Sequence, residues 1–250
     1  MQKRRLISLD ISIGPYKEFL TEILTLAKAP KASYVCVANV HMLVEAYNDP
    51  TFADKVNSAA IVTPDGMPLA KGIKSIYKIN QDRVAGMDLL PDLLREANDE
   101  KLSVLFYGGS EDVVEKLKEY AAERHSDIKL TVICPPFRPL SPKENEQIIS
   151  EINSVSADIL FISLGCPKQE NWMAQMHTKI NRGVMVGIGG ALPVMLGMQK
   201  RAPKWMQDAS LEWLYRLIQE PKRLYKRYAI TNATFMRLMF LEHLRILFKR

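Results

Sequence analysis

The chain has 250 residues, 47% of them apolar and 25% charged, a composition that suits one substantial folded core and excludes a disordered or fibrous protein. No uncharged apolar run approaches the roughly 20 residues of a membrane-spanning helix, and we expect no signal peptide because charged residues interrupt the first apolar segment. The three cysteines cannot all form pairs, which favours a reducing compartment and hence a cytoplasmic location.

Positive charge is concentrated at the end of the chain. Residues 200–250 hold 12 Lys or Arg against 4 Asp or Glu, whereas residues 1–199 hold 22 against 24. The basic segment is also rich in Trp, Leu and Phe, which a purely solvated run of charges would lack. It therefore fits contact with a partner that is both anionic and apolar. A pair of ordinary C-terminal helices with basic exposed faces fits equally well.

Short β-branched segments alternate with helical periods along most of the chain. The predicted strands cover residues 33–38, 59–63, 102–107, 129–133, 157–164 and 183–188. The predicted helices cover residues 41–56, 110–124 and 142–153. The segment 157–164 is almost continuously apolar, as expected for a strand that is buried on both faces.

Single helices between successive strands are typical of a parallel sheet. We therefore predict an α/β fold with a Rossmann-like, mostly parallel sheet and helices on both faces. The composition changes near Met198. Residues 1–198 are accordingly predicted to form the α/β domain, and residues 199–250 a basic helical appendage.

Glycine or polar residues follow four of the predicted strands, at the ends where parallel sheets bind ligands. These positions are Asn39, residues 63–66, Gly108 with Gly109, and Gly189 with Gly190. Backbone N–H groups can approach a ligand at such glycines, and the N-terminus of a following helix favours a phosphate. Neither glycine pair has a full dinucleotide or P-loop motif, and each alone also fits a tight turn. The four positions together favour a nucleotide-phosphate site.

Asp65 is the candidate acid or base of this region. It follows a predicted strand, and prolines on either side stiffen its loop. An aspartate there is also a common helix N-cap, in this case for a helix that starts near Met67, and position alone favours the cap. Asn39 is likewise compatible with a simple turn.

The sequence has no evident metal site. Its four histidines lack the spacing of metal ligands, and no Asp-x-Asp pair occurs, so the carboxylate pair that often holds Mg²⁺ on a sugar nucleotide is missing. A diphosphate leaving group would then need Arg, Lys and helix N-termini to stabilise its charge. The appendage supplies Arg216, and also Arg223 and Arg227, which share one face of the helix that Pro221 opens.

Three segments in the second half of the chain match the motifs of a known family. Residues 164–172 (LGCPKQENW) resemble its LGxPKQExW box. Residues 187–191 (GIGGA) and 197–206 (GMQKRAPKWM) resemble its GVGGxF and RAPxWM segments. Residues 211–223 (LEWLYRLIQEPKR) resemble its LEWLYRLxxEPxR segment.

Further matches lie in the first half, at Asn39, residues 64–66 (PDG) and residues 83–88 (RVAGMD). Over roughly residues 10–228 the chain thus resembles the WecG/TagA/CpsF family of bacterial glycosyltransferases, glycosyltransferase family 26. The resemblance implies an inverting, metal-independent hexosyltransferase that uses no cofactor. It implies transfer of N-acetylmannosamine, its uronic acid or another hexose from UDP to an N-acetylglucosamine on polyprenyl diphosphate, in the synthesis of bacterial surface polysaccharide or teichoic acid.

By position, the resemblance makes Asp65 the general base. It places Asn39, Arg83 and Gln169 in the substrate pocket, and the strand-end glycines Gly108, Gly109, Gly189 and Gly190 are predicted from their position to bind substrate with them. It also assigns contacts with the diphosphate to basic residues of the appendage. These basic residues are Arg216, Arg223, Lys226 and Arg227.

Two positions depart from the pattern of the family. The family usually has Thr two residues before the asparagine, where this chain has Val37. It often has an aspartate after the GGA segment, where this chain has Leu192 and Pro193. Both positions lie where donor or acceptor is expected to bind, so the resemblance does not fix the sugar. A catalytically idle relative is a further alternative.

A nucleic-acid-binding protein is the alternative from another class. Such a protein would need exposed aromatic side chains among the basic ones. Trp205, Trp213 and Tyr215 have helical spacing, which favours core positions. The expected partners are therefore a UDP-sugar, a lipid-linked acceptor and an anionic membrane surface, without nucleic acid. A homo-oligomer is compatible with the sequence.

Residues 230–250 are predicted to form an amphipathic helix. Its apolar stripe contains Met236, Phe240, Leu244 and Leu247. Its charged side contains Glu242, Arg245 and Lys249. The helix carries too many charges to span a bilayer but suits the anionic cytoplasmic leaflet, so we expect peripheral attachment to the inner face of the membrane. Packing of the stripe on the α/β body or on another subunit is the alternative.

Overall fold

The computed structural model describes residues 1–136 and 138–248. Its eight strands are β1 (Lys3–Leu6), β2 (Leu9–Ser12), β3 (Ser33–Ala38), β4 (Ile61–Pro64), β5 (Ser103–Gly108), β6 (Lys129–Ile133), β7 (Ile159–Ser163) and β8 (Val184–Gly187). Helices α1 to α6 are Tyr16–Ala27, Val40–Asn48, Pro50–Asn57, Met67–Tyr77, Gly86–Asp99 and Glu111–Arg124. Helices α7 to α12 are Pro142–Val155, Lys168–Met176, Ala191–Met195, Lys204–Asp208, Glu212–Gln219 and Pro221–Phe248.

The predicted α/β fold is confirmed. Six strands form one sheet in the order β4-β3-β8-β7-β5-β6, and the pairs from β3 through to β6 are all parallel. A separate antiparallel hairpin joins β1 to β2, which the sequence analysis did not predict. Two predicted strands, β3 and β6, have the predicted bounds.

One predicted helix, over residues 41–56, is divided in the structure. Helix α2 ends before Asp49, and α3 begins at Pro50. Proline cannot donate the backbone hydrogen bond that a continuous helix requires, and it is well tolerated in a first helical turn. The Asp49 side chain accepts the N–H of Phe52 at 3.2 Å and so caps the second helix.

The chain forms two compact units. One of them contains residues 17–36 and 86–199. Its core follows from the apolar strands β5 and β7, which pair in register from Val104 with Ile159 and are almost completely buried. Phe106 and Phe161 lie opposite each other in that register, with ring centroids 4.9 Å apart. The apolar segment predicted to be a fully buried strand is therefore the centre of this unit.

The other unit contains residues 1–16 and 37–85 and the described residues from Lys200 onward. Strand β2 packs beside β4, where the Ser12 hydroxyl accepts the N–H of Val62 at 3.1 Å. Helix α12 packs along α2. The division of the chain into functional domains at residue 198 stays a prediction.

Helix α12 is continuous over the 28 residues that begin at Pro221, and the predicted Lys249 and Arg250 lie outside the described residues. Its buried side carries Leu224, Phe235 and Leu238. The side chains of Met236, Phe240 and Leu247 are instead 63–67% exposed. Among the described residues, no helix combines the length and the low charge that a bilayer crossing requires.

The core position expected for Trp205 is wrong. Its side chain is 65% exposed, because α10 is only five residues long and its buried residues are Met206 and Gln207. Trp213 and Tyr215 are half-buried. The Trp213 ring packs edge-on against Tyr228, with centroids 5.9 Å apart.

Candidate active site

Asp65 lies directly after β4 in the unit that contains residues 37–85. Its backbone N–H donates to the carbonyl oxygen of Ala38 at 2.8 Å and to that of Thr63 at 3.1 Å. Helix α4 is capped by Gly66, which makes no side-chain capping bond, so Asp65 is not the N-cap that its position suggested. The backbone of Asp65 is thus held by hydrogen bonds to the ends of β3 and β4.

Asn39 follows β3 and caps the next helix. Its side-chain oxygen accepts the N–H of Met42 at 3.1 Å. The residue before it, Ala38, accepts the backbone N–H of Asp65, so the structure brings Asn39 and Asp65 to neighbouring strand ends. Val37, where the family has threonine, is buried in β3.

Arg83 is held by two residues of the appendage. Its Nη1 is 2.8 Å from Oε2 of Glu212, and its Nη2 donates to the side-chain oxygen of Gln207 at 2.9 Å. The Arg83 side chain is 11% exposed and that of Glu212 is 24% exposed. The guanidinium that the family resemblance places in the substrate pocket is therefore engaged by α10 and α11.

The four predicted basic residues of the appendage lie on α11 and on the first two turns of α12. Arg223 pairs with Glu220, whereas Arg227 lies close enough to His41 to affect its charge. Burial and the Arg227 charge lower the pKa of His41. The positive charge expected in this segment is thus present, and its electrostatic effect reaches His41 in the first turn of α2.

Tyr228 lies among three of these cations. Burial raises the pKa of its hydroxyl, and the charges of Arg216, Arg227 and Arg223 oppose that increase. Tyr228 is not among the site residues predicted from the sequence. The only signal was its position at the end of the family resemblance, one residue after Arg227.

The predicted glycines at 108, 109, 189 and 190 lie in the other unit, which contains residues 86–199. Gly108 has φ +105°, and a Cβ there would lie 2.6 Å from the carbonyl oxygen of Ser163. Glycine is therefore required by the close approach of β5 and β7. Gly109 has φ +101°. The first turn of α6 carries Glu111 and Asp112, which weakens the expectation that this helix N-terminus attracts a phosphate.

Gln169 joins the loops that follow β7 and β8. Its side-chain oxygen accepts the N–H of Gly165 and that of Gly189, both at 3.2 Å. Its side-chain nitrogen donates to Oε1 of Glu170 at 2.7 Å. Gln169 is 3% exposed and Glu170 is fully buried. The side-chain oxygen and the side-chain nitrogen of Gln169 therefore both have hydrogen-bond partners inside the protein.

Two further contacts fix the same loops. The Ser163 hydroxyl donates to the carbonyl oxygen of Gly189 at 3.0 Å. A Cβ at Gly187 would lie 2.9 Å from the Gln169 side-chain nitrogen and from Cε of Met173, so glycine makes room for the amide. Gly190 caps the short helix α9 without a side-chain bond.

Glu170 was not selected from the sequence, although it stands in the matched LGCPKQENW segment. Burial raises the pKa of its carboxyl, against the opposing effect of the hydrogen bond from Gln169. A buried carboxyl that accepts an amide N–H can fix the orientation of that amide. Its role follows only from the tertiary contacts of Gln169 with both glycine loops.

The described residues contain no cluster of three or more His, Cys, Asp or Glu side chains arranged to hold a metal ion. In the unit with Asp65, this residue and Asn39 follow the strands β4 and β3, and a basic helical segment belongs to the same unit. In the other unit, glycine loops are braced by a buried amide. The groups of the first unit can remove a proton and stabilise phosphate charge, and those of the second unit can present backbone N–H donors.

Comparison with known proteins gives consistent results. The family model described as glycosyl transferase WecG/TagA/CpsF family matches residues 4–248. An N-acetylglucosaminyldiphosphoundecaprenol N-acetyl-β-D-mannosaminyltransferase of Bacillus spizizenii (strain ATCC 23059 / NRRL B-14472 / W23) is 29% identical over 224 residues, which is 89% of this chain and 86% of the relative. An enzyme of the same name from Bacillus subtilis (strain 168) is 28% identical over 202 residues, 79% of this chain and 77% of the relative. The resemblance predicted from the motifs is confirmed, and nothing in these matches supports a nucleic-acid-binding protein.

Proposed function

The chain belongs to the WecG/TagA/CpsF family of glycosyltransferases, and we propose that it transfers N-acetylmannosamine or a related hexose from UDP to N-acetylglucosamine on a polyprenyl diphosphate. The family match covers nearly the whole described chain. The names of the two Bacillus relatives specify N-acetylmannosamine as the sugar and an undecaprenol-diphosphate acceptor. Val37 and Pro193 depart from the family pattern, so the proposal does not specify a single donor sugar.

The observation that carries the proposal is the position of Asp65. Its backbone is fixed beside Asn39, and Gly66 rather than Asp65 caps the following helix. We assign Asp65 the role of general base. Its carboxylate takes the proton of an acceptor hydroxyl as that oxygen attacks the anomeric carbon. The bond between that carbon and the UDP oxygen breaks, and UDP leaves with the bonding electrons, so the configuration at the carbon is inverted.

Cationic side chains stabilise the phosphates in this mechanism. Arg216, Arg223, Lys226 and Arg227 belong to the same unit as Asp65. Arginine binds phosphate oxygens through two parallel N–H donors, and Tyr228 adds a hydroxyl that lies within the electrostatic influence of three of these arginines. We propose that this group binds diphosphate and makes a divalent metal unnecessary for the transfer.

The glycine loops of the other unit are proposed to bind the nucleotide. Gln169 engages the N–H groups of Gly165 and Gly189, and the acidic first turn of α6 disfavours an anion beside Gly109, so we assign contact with a phosphate to the backbone of Gly190. Gln169 then serves the site by holding the loops rather than by touching the ligand.

The exposed stripe of α12 supports peripheral attachment to the cytoplasmic face of an anionic membrane. Met236, Phe240 and Leu247 project from the helix, and Trp205 and Ile218 are also 65–69% exposed. Apolar side chains beside a basic segment suit the boundary between lipid headgroups and acyl chains. Such a location brings the appendage to an acceptor whose polyprenyl chain stays in the bilayer.

Transfer is tested with a panel of UDP-sugars and a polyprenyl-diphosphate N-acetylglucosamine analogue, measuring UDP release and glycosylated product. We expect one UDP-N-acetylhexosamine or its uronic acid to be used, with an inverted product linkage. Asp65→Asn should keep UDP affinity and lower kcat by about 10²–10⁴-fold, the typical contribution of a positioned base. Near-normal turnover in that variant would remove Asp65 from the mechanism.

Membrane attachment is tested by co-sedimentation with liposomes that contain anionic lipid. Deleting the end of α12 would remove the buried Phe235 and Leu238, so exposed positions are the better targets. Met236→Glu with Phe240→Glu should abolish sedimentation, whereas Tyr47→Glu on α2, which is 51% exposed, should leave it unchanged. Equal sedimentation of all three proteins, or of none, contradicts the proposal.

A further inference from the structure

Arg83 is one of the residues that join the appendage to the rest of its unit. Its two terminal nitrogens contact two different helices, with Gln207 on α10 and Glu212 on α11. Gln207 is itself buried and donates to the carbonyl oxygen of Ala202 at 2.7 Å. A planar guanidinium can satisfy two acceptors at once in a way that a lysine cannot. The short helices α10 and α11 are therefore both anchored by a single side chain.

The backbone next to Arg83 is joined to the end of β4. The N–H of Val84 donates to the carbonyl oxygen of Pro64 at 2.9 Å, and the buried Thr63 hydroxyl donates to the carbonyl oxygen of Val84 at 3.0 Å. Pro64 immediately precedes Asp65. A displacement of Arg83 is thus transmitted through two hydrogen bonds to the strand end that carries the proposed base.

The contact of Arg83 with Glu212 also connects Arg83 to α11, the helix that carries Arg216, one of the proposed diphosphate-binding residues. Glu212 and Arg216 are four residues apart on α11, so they lie on the same face of that helix. Both act electrostatically on Tyr228. Arg83 therefore contacts, through Glu212, the face of α11 that also carries Arg216.

We propose that Arg83 is a positioning residue that couples the Asp65 loop to the appendage through Glu212 and Gln207. This inference rests on the proposed function, because it assigns Arg83 a role in aligning the base with the phosphate-binding cations. It differs from the role that the family resemblance suggested, in which Arg83 contacts the substrate. The ion pair between Arg83 and Glu212 is largely shielded from water, so the loss of either partner leaves the other charge unpaired in a shielded position. The coupling is therefore specific to this pair.

The test is a charge exchange between the two partners. Arg83→Glu and Glu212→Arg are made singly and together, and each protein is compared with wild type for kcat, for KM of the lipid acceptor analogue, and for backbone hydrogen exchange in α10 and α11. Each single variant should lose about tenfold or more in kcat and should lose exchange protection in both helices. The double variant should recover to within about threefold of wild type, since the pair is restored with reversed sign.

Arg95→Glu is the matched control, because Arg95 forms an exposed ion pair with Asp92 on α5 and should change neither quantity. Arg83→Lys and Glu212→Gln are milder variants in case the reversals do not fold. They should each give an intermediate loss of protection in α10 and α11.

A double variant no better than the single ones, with normal exchange protection in all of them, would show that Arg83 acts on the substrate and would overturn the proposal. Failure of the proposed function is distinguishable, because wild type would then transfer no sugar to any acceptor. The hydrogen-exchange result for the three charge variants would still decide the coupling.

Discussion

The contact of Gln169 with the two glycine loops gives a quantitative prediction. Replacing Gln169 with methionine keeps the length of the side chain but removes both of its polar ends. The N–H groups of Gly165 and Gly189 then lose their acceptor, and the fully buried Glu170 carboxyl loses the N–H that it accepts at 2.7 Å. The variant therefore tests three hydrogen bonds at once.

The magnitude follows from how well water can replace each lost partner. A buried polar group without a partner costs about 1–3 kcal/mol. Glu170 is out of reach of water and should cost about 2 kcal/mol, whereas the two half-buried loop N–H groups should cost about 0.5–1 kcal/mol each. We expect Gln169→Met to lower the free energy of unfolding by about 3 kcal/mol. For a chain of this size that corresponds to a fall in Tm of roughly 6–12 °C.

Two companion variants separate this explanation from a general packing effect. Glu170→Gln keeps an oxygen that can accept the Gln169 N–H, so it should cost less than about 1 kcal/mol. Gln169→Met combined with Glu170→Leu removes both partners of the bond between these two side chains, so the buried carboxyl no longer lacks the amide N–H. The double variant should therefore be about 1–2 kcal/mol more stable than Gln169→Met alone.

The assay is urea unfolding followed by circular dichroism, with an unchanged m-value as the check that only stability has changed. UDP affinity is measured on the same proteins, because the loops are proposed to bind the nucleotide. A loss below about 1 kcal/mol for Gln169→Met, or a double variant less stable than the single one, would refute the reasoning.

Three further outcomes are expected. Burial raises the pKa of Glu170 above its ordinary value of 4.5. The contribution of the protonated carboxyl to the free energy of unfolding is therefore complete below pH 4.5 and is lost as the pH rises through the folded-state pKa. The free energy of unfolding of Glu170→Gln should therefore fall less than that of wild type as the pH is raised above 4.5, as measured by urea titrations at a series of pH values. Arg216→Ala and Arg223→Ala should each lower kcat more than they weaken UDP binding measured by calorimetry, because the cations stabilise charge that develops on the phosphates; weaker UDP binding with unchanged kcat would contradict this. EDTA should leave sugar transfer unchanged in the product assay, and an activity that collapses with EDTA and returns with Mg²⁺ would overturn the metal-free mechanism.

The sequence was sufficient to predict the α/β architecture and to select the family. Strands β3, β5, β7 and β8 are apolar segments separated by turn residues, so their positions follow from local periodicity. The family motifs place Asp65 and Asn39 at strand ends, and the structure has them there. The break between α2 and α3 was also visible in the sequence, at Pro50, but helical periodicity continued across it.

The contacts of Arg83 and Gln169 could not be derived in this way. Arg83 meets Glu212 across 129 positions of the chain, and Gln169 meets Gly189 across 20. No local period relates such residues, and both side chains match the family motif equally well as ligands of a substrate. The folded structure adds the hydrogen bonds that each side chain makes inside the protein, and the substrate contacts of both residues stay a prediction.

The sequence by itself determined that the chain ends in a basic, apolar helical segment, because the 3.6-residue period and the composition are local properties. It did not determine which apolar side of α12 is covered. Leu224, Phe235 and Leu238 are as apolar as Met236 and Phe240, and a helical wheel presents both sets. Only the tertiary structure, in which α12 packs along α2, buries the first set and leaves the second in solvent, since burial depends on which face meets a neighbouring helix and not on the helix alone.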